Sequence, residues 1–484
     1  MVTINVGNLS SKIIGILNWN VNKLIDRSLS YQIEGAEFLP SVQASQWDGI
    51  VHLYSTRTQI FSTGLLNKVC DILTQQGVQY TVNDMRVKPQ AQQPIPTNTT
   101  LRQDQEDVVN TCINKVRGIV ALPTGWGKSF SQIELVCRLN LPTVIVVHKL
   151  DIMQQFIDWF KERAGIEVGQ VGNGVIEPKR ITVAMIQTLA NAFKIKSKEI
   201  KSETINAKDY NNIYNMCVQA QMVIADEAHN FNDGNIWRSV FTKFTNAYFR
   251  LGFTATPRKS LSGELLSQSI FGPIISSTSY TDCVNAGYLT KPEVYVFNYK
   301  QQGLPYGTNY QQAYKERIVE NEDRNFIICQ LALKYYQAGK RVCIFVTHIN
   351  HGKLLKQMLE TVVGKGQVVF IEGAVKLEKR QEAIKAMEAG KLRLVIGSNC
   401  ITEGVNIKSM DCLISARCGM SRVVFLQTIG RALRLFPGKD KATIIDIQDT
   451  GVKYFAYQAR ERLMLLNDLE FDIKIVNNIE DVKV

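Results

Sequence analysis

Apolar and polar positions divide the chain into stretches of different character. VHLYS (51–55) and TQIF (58–61) predict two strands paired across a short turn. LLNKVCDILTQQG (65–77) repeats its apolar positions at helical spacing and stops at Gly77, which predicts an amphipathic helix. A strand, VQYTV (78–82), follows it. Residues 1–85 therefore read as a small α+β domain. The pattern then breaks. Residues 86–100 carry Pro89, Pro94 and Pro96 among glutamines and threonines. Proline removes a donor and disfavours helix, so this stretch reads as a linker at a domain boundary.

From 101 onward, apolar runs at 117–123, 143–148, 180–185 and 222–227 alternate with helical stretches. A second series lies at 341–347, 367–372, 392–398, 412–417 and 442–447. Continuous apolar strands separated by helices make a parallel sheet covered on both faces. Two series predict two α/β lobes, 101–290 and 291–450, followed by a helical tail, 451–484, whose helix is expected over 451–470. Residues 194–214 read as a lysine-rich insertion, more consistent with a solvated loop than with a specific DNA contact.

Composition narrows this picture. A chain of 484 residues, 45% hydrophobic and 21% charged, is globular and has a length suited to about three domains. Global disorder, a collagen-like chain and a disulfide-stapled miniprotein are excluded. The net charge of +12 favours a polyanionic partner, nucleic acid ahead of an anionic membrane, although a well-solvated surface is the plainer reading. No run approaches the ~18 apolar residues of a membrane helix, and no export signal is visible, so a cytoplasmic protein with no membrane partner is expected. None of the ten cysteines forms a C-x-x-C pair, which argues against a zinc or iron–sulfur site.

The chemistry concentrates in two motifs. PTGWGKS (123–129) follows a strand and opens a helix, the context of a phosphate-binding loop. Gly125 and Gly127 would let backbone N–H groups surround phosphate oxygens, in a cofactor-binding loop that also holds Pro123, Thr124 and Trp126. Lys128 would reach the β- and γ-phosphates, and Ser129 would hold Mg²⁺. Leu122 stands where such loops usually begin with glycine or alanine. DEAH (226–229) also follows an apolar strand. Asp226 is placed for Mg²⁺ and Glu227 to orient or deprotonate the attacking water. His229 has no partner cluster nearby in sequence and is not read as a zinc ligand.

LRQDQ (101–105), PTGWGKS, DEAH, GFTATP (252–257), TEGVNIK (402–408) and QTIGRALR (427–434) occur in one order. Their order and spacing resemble the superfamily two helicases and translocases. The resemblance implies two RecA-like lobes with parallel sheets and ATP with Mg²⁺ between them. It makes Gln105 the adenine-recognising residue with Arg102 beside it, and gives Gly404 and Gln427 places near the nucleotide. Arg434 becomes the arginine finger and Arg431 its γ-phosphate-sensing neighbour. His229, Thr254 and Thr256 would couple hydrolysis to lobe movement. Contacts to nucleic acid are expected from His148, Lys149, Gln187, Thr188, Thr347, His348, Thr402 and Glu403. Asn406 sits where many relatives carry aspartate.

Residues 38–66, with W-D-G at 47–49 and F-x-x-G-L-L at 61–66, resemble the N-terminal region of phage UvsW-type branch-migration helicases. Trp47 has a second reading as a core residue. That family implies ATP-driven remodelling of branched DNA such as Holliday junctions, forks, D-loops or R-loops, in a host cytoplasm. Residues 1–85 would then help bind duplex or branched DNA. Two alternatives stay open: a helicase for RNA or RNA–DNA hybrids, and an ATPase subunit of a restriction or repair complex. The oligomeric state is open, a monomer being compatible with the sequence.

Overall fold

A computed structural model describes residues 1–33, 35–195, 205–228, 236–255, 261–305, 307–398, 407–419 and 421–484. Two compact units emerge, one of Met1–Leu122 with Gly127–Ser277, the other of Pro123–Trp126 with Thr278–Val484.

The N-terminal part of the first unit has its own sheet. Strands β1 (Val2–Val6), β2 (Ser10–Ile14), β5 (Ile60–Ser62) and β6 (Tyr80–Asp84) lie in the order β5-β2-β1-β6. The expected hairpin is not formed. β4 (Ile50–His52) pairs with β3 (Ser30–Gln32), while β5 pairs with β2. Leu53 and Tyr54 turn into the core, 4% and 3% exposed, and bend the chain between the two strands. A single bridge, Tyr54 to Phe61, remains of the ladder. The expected helix runs over α1 (Leu66–Gln75), with Gly77 in a left-handed conformation beyond its end.

This small core reaches into the adjoining lobe. Leu265 and Leu266 of the helix Leu261–Phe271 pack in the same cluster as Ile4, Phe61, Leu65 and Val69. Gly64 makes that approach possible, because a Cβ there would lie 2.0 Å from the Gln268 carbonyl oxygen. The proline-containing stretch is extended, as proline dictates, yet it is fastened down. Ile95 and Asn98 donate backbone N–H groups to Cys137 and Arg163 carbonyls, and the Thr97 hydroxyl meets Glu134 at 2.7 Å.

The first lobe is an eight-stranded sheet. Its strands are β7 (Arg117–Ala121), β8 (Thr143–Val147), β9 (Gly169–Gly172), β10 (Val175–Glu177), β11 (Ile181–Met185), β12 (Met222–Asp226), β13 (Phe249–Thr254) and β14 (Ile274–Ser277), in the order β10-β9-β11-β8-β12-β13-β7-β14. All pairs are parallel except β9 with β10. Strands β8 and β12 are buried along their whole length, which explains their unbroken apolar sequences.

The second unit holds seven parallel strands: β15 (Lys291–Lys300), β16 (Val342–Phe345), β17 (Val368–Ile371), β18 (Leu394–Gly397), β19 (Cys412–Ser415), β20 (Lys441–Thr450) and β21 (Ile473–Val476). Their order is β17-β18-β16-β19-β20-β15-β21. The tail is α-helical over Lys453–Asp468, and a short 3-10 turn follows at Ile479–Asp481. Residues 473–476 instead form β21, which covers the edge of the long strand β15, and Val476 and Val482 enter the core of this lobe.

Candidate active site

The phosphate-loop residues sit at the carboxyl end of β7, where the loop leads into α2 (Lys128–Leu139). Gly125 and Gly127 have φ of +93° and +102°, the left-handed region that disfavours side chains. A Cβ on Gly127 would also lie 2.6 Å from Gln105 Nε2. The loop is therefore shaped for close backbone approach, with Gln105 against it. Gln105 is buried, and its Oε1 accepts the Arg102 backbone N–H at 3.2 Å; the Arg102 guanidinium pairs with Asp104. Lys128 Nζ donates to the Leu122 carbonyl at 3.1 Å.

Asp226 ends β12 and is buried. It accepts a hydrogen bond from Gln132 Nε2 at 3.0 Å. Gln132 lies four residues beyond Lys128, on the same helix face, so this bond brings the loop helix to the carboxylate. Glu227 takes a left-handed φ of +56° in the turn that follows. Such a conformation costs about 1–3 kcal/mol in a residue with a side chain and recurs at functional sites. Thr254 ends β13, between β7 and β12 in the sheet; its carbonyl accepts the Leu122 N–H at 2.9 Å.

The expected first-lobe strand contacts also converge. β8 and β11 are neighbours, so His148 with Lys149 and Gln187 with Thr188 follow adjacent carboxyl ends. Gln187 Nε2 donates to the His148 carbonyl at 3.1 Å.

In the second unit, α3 (Arg422–Ala432) carries Gln427, Gly430 and Arg431, and Arg434 follows its end. Gln427 is buried, and the Arg434 N–H donates to the Arg431 carbonyl at 3.3 Å. Thr347 and His348 follow β16. His229, Thr256, Thr402, Glu403 and Gly404, with Asn406, lie outside the described residues.

Residues 98–259 match the family described as Type III restriction enzyme, res subunit, and residues 323–436 match the Helicase conserved C-terminal domain. The matches cover more than half of the chain and fall on the two lobes that carry these groups. The chain belongs to the superfamily two helicases.

Within that superfamily, putative helicase 22 of Sulfolobus islandicus filamentous virus (isolate Iceland/Hveragerdi) is 25% identical over 371 residues, 72% of this chain and 64% of its own length. This chain thus spans just under two thirds of that relative. The ATP-dependent DNA helicase uvsW of Enterobacteria phage T4 is 22% identical over 474 residues, 91% of this chain and 89% of its own length. A fragment of a putative HsdR subunit of a type I restriction enzyme from Vibrio vulnificus YJ016 shares the fold, with a TM-score of 0.56 at 16% identity over 79% of this chain and 70% of that one.

Helicase domains of this superfamily imply ATP use, and the residues present fit it. Besides the glycine cradle, Thr124 Oγ1 and Ser131 Oγ are buried hydroxyls with no hydrogen-bond partner among the described residues. Unmet buried hydroxyls beside the glycine loop suit a polar, anionic ligand. Among the described residues, no group of three or more His, Cys, Asp or Glu is arranged to hold a metal ion. No helix of the described residues is long and apolar enough to cross a membrane.

Two groups in this helicase core escaped the sequence reading. Gln132 is legible only as the position four residues after the loop lysine. Lys439 lies beyond the last motif. Its buried ammonium donates to the carbonyls of Ala432, of Arg434 at 3.1 Å and of Lys408 at 3.5 Å. Thr290 takes the neighbouring acceptors, its N–H on Leu433 and its hydroxyl on Arg434. The carbonyl of Ala432, the last residue of α3, and those of Leu433 and Arg434 just beyond it thereby find donors.

Proposed function

We propose that the chain is an ATP-driven DNA helicase or translocase that remodels branched DNA. The observation that carries the motor reading is the convergence of Lys128, Gln132 and Asp226 beside a glycine loop of positive φ. In this reading Gln105 and Arg102 hold adenine, and Pro123 to Gly127 enclose the phosphates with Lys128. Ser129 and Asp226 would hold Mg²⁺, which supplies charge neutralisation at the transferred phosphate. Glu227 takes a proton from the attacking water, Arg431 and Arg434 stabilise the developing charge, and Thr254 relays the change. His148, Lys149, Gln187, Thr188, Thr347 and His348 grip the strand backbone without reading its sequence.

The DNA assignment draws on the name of the phage T4 relative, a DNA helicase, and on the +12 net charge. The branched-DNA assignment draws on residues 38–66 and on the small domain anchored through Gly64 to the first lobe.

The test is steady-state ATPase activity with single-stranded DNA, duplex, four-way junction, R-loop and RNA. Strongest stimulation by junction or forked DNA is expected. Stimulation by RNA alone would replace the substrate and keep the motor. No stimulation by any nucleic acid would sink both.

A further inference from the structure

The second unit contains a cavity of about 280 Å³ whose lining takes only Thr428 from the ATP motifs. It opens outside the carboxyl ends of β16 and β19. From β16 the chain turns to one side of the sheet, to β17 and β18; β19, β20 and β15 lie on the other. Such a switch point leaves a crevice in open α/β sheets, and ligands bind there.

Its lining specifies a chemistry. Tyr310 and Tyr314, on the short helix Tyr310–Tyr314, form an aromatic wall, and the His348 ring lies 4.6 Å from that of Tyr314 at a 34° tilt. Arg417 contributes a guanidinium; Arg462 also lines the cavity, its guanidinium bonded to Asp446 and to the Gly419 and Ile447 carbonyls. Ser421, the N-cap of α3, borders the cavity and turns the positive end of that eleven-residue helix toward it. No carboxylate is among the described residues that line it. Tyr310 is 37% exposed, and Tyr454, 45% exposed and 5.8 Å away edge-on, continues the aromatic surface outside. At ~30 Å³ per liquid water, the space equals about nine waters, suited to one ring system with part of its sugar.

We propose that this cavity receives one unpaired nucleotide of a nucleic-acid strand, the base against the tyrosine wall and the phosphate toward the N-terminus of α3. The proposal rests on the reading of the chain as a nucleic-acid motor and adds a stacking site to it. Aromatic stacking tolerates every base, which a translocating protein requires. The apolar wall selects against bare phosphate, and the absence of lining carboxylates selects against cationic ligands.

The test uses the full chain without ATP and a single-stranded oligonucleotide carrying one 2-aminopurine. Binding by the wild type should quench the probe. Tyr310→Ala should abolish the quenching and weaken the strand's Kd about tenfold. Tyr310→Phe should keep both. The slope of affinity against salt should stay the same in Tyr310→Ala, because no phosphate contact is removed. Unchanged quenching and affinity in both Tyr310→Ala and His348→Ala, each shown folded by its thermal unfolding curve, would overturn the proposal. Recovery of the probe signal on adding free deoxyadenosine monophosphate would also overturn it, assigning the cavity to a mononucleotide. A wild type that binds no strand at all would instead sink the nucleic-acid reading.

Discussion

Both lobes bury carboxylates near the carboxyl ends of their strands, but they give them different partners. Asp226 in the first lobe meets the neutral amide of Gln132. Asp449 and Asp446 in the second meet guanidinium groups. Arg324 pairs with Asp449 through two bonds of 2.7 and 3.0 Å, and Arg462 Nε lies 3.0 Å from Asp446. Burial alone pulls Arg324 down and pushes Asp446 up; Asp449 outweighs it at Arg324, whereas Arg462 does not at Asp446. A carboxylate neutralised in place serves cohesion. Under the proposed function Asp226 serves chemistry, while the ion pairs of Asp446 and Asp449 serve cohesion.

The largest effect expected from this contrast is on turnover. Lys128→Ala should lower ATPase kcat by about 10²–10³-fold, the range for removing one donor to a developing charge. Glu227→Gln should retain ATP binding, read with a fluorescent nucleotide, while turnover falls by about 10²–10⁴-fold. Normal turnover in both would remove the chemical half of the comparison.

Next comes stability. Arg324→Met leaves Asp449 buried without its guanidinium partner, although Gln301 Nε2 still donates to it at 2.7 Å, and should cost about 3–5 kcal/mol in urea unfolding. Gln132→Met removes one hydrogen bond from Asp226 and should cost about 1–2 kcal/mol. Equal losses would show that both carboxylates serve cohesion alike.

The contrast also explains what the sequence disclosed. Lys128, Asp226 and Glu227 belong to contiguous motifs, because a phosphate loop and a strand-end carboxylate are built from local backbone geometry. The parallel sheets were equally legible, since burial on both faces writes unbroken apolar runs such as TVIVV at β8. Arg324 and Asp449 stand 125 residues apart and show no spacing signal. The tyrosine cavity draws on segments around 310, 348, 417 and 462, which only the sheet order assembles. The expected hairpin at 51–61 failed for a related reason: the turn is local, while the partner of each strand is chosen by distant segments.

Lys439 offers the smallest and most selective test, because it ties helix α3 by charge rather than by a carboxylate partner. Burial pulls its ammonium down to about 8; Asp411 opposes this, while Arg341 and Arg434 reinforce it and Cys343 lies close by. Between that value and the ordinary 10.5, the unfolded chain holds a proton that the folded chain has released. Stability from this group must therefore rise with pH across the window, by at most about 1.4 kcal/mol per unit. Below pH 8 both states are protonated, and the slope vanishes. Lys439→Met abolishes the titration but also removes the ammonium from the Ala432 carbonyl, while the Arg434 carbonyl keeps the Thr290 hydroxyl. Denaturant unfolding at pH 7.5 and 9.5 should show the wild type gaining stability relative to the variant at the higher pH. A constant difference between the two proteins would mean that the ammonium keeps its ordinary proton affinity in the folded chain.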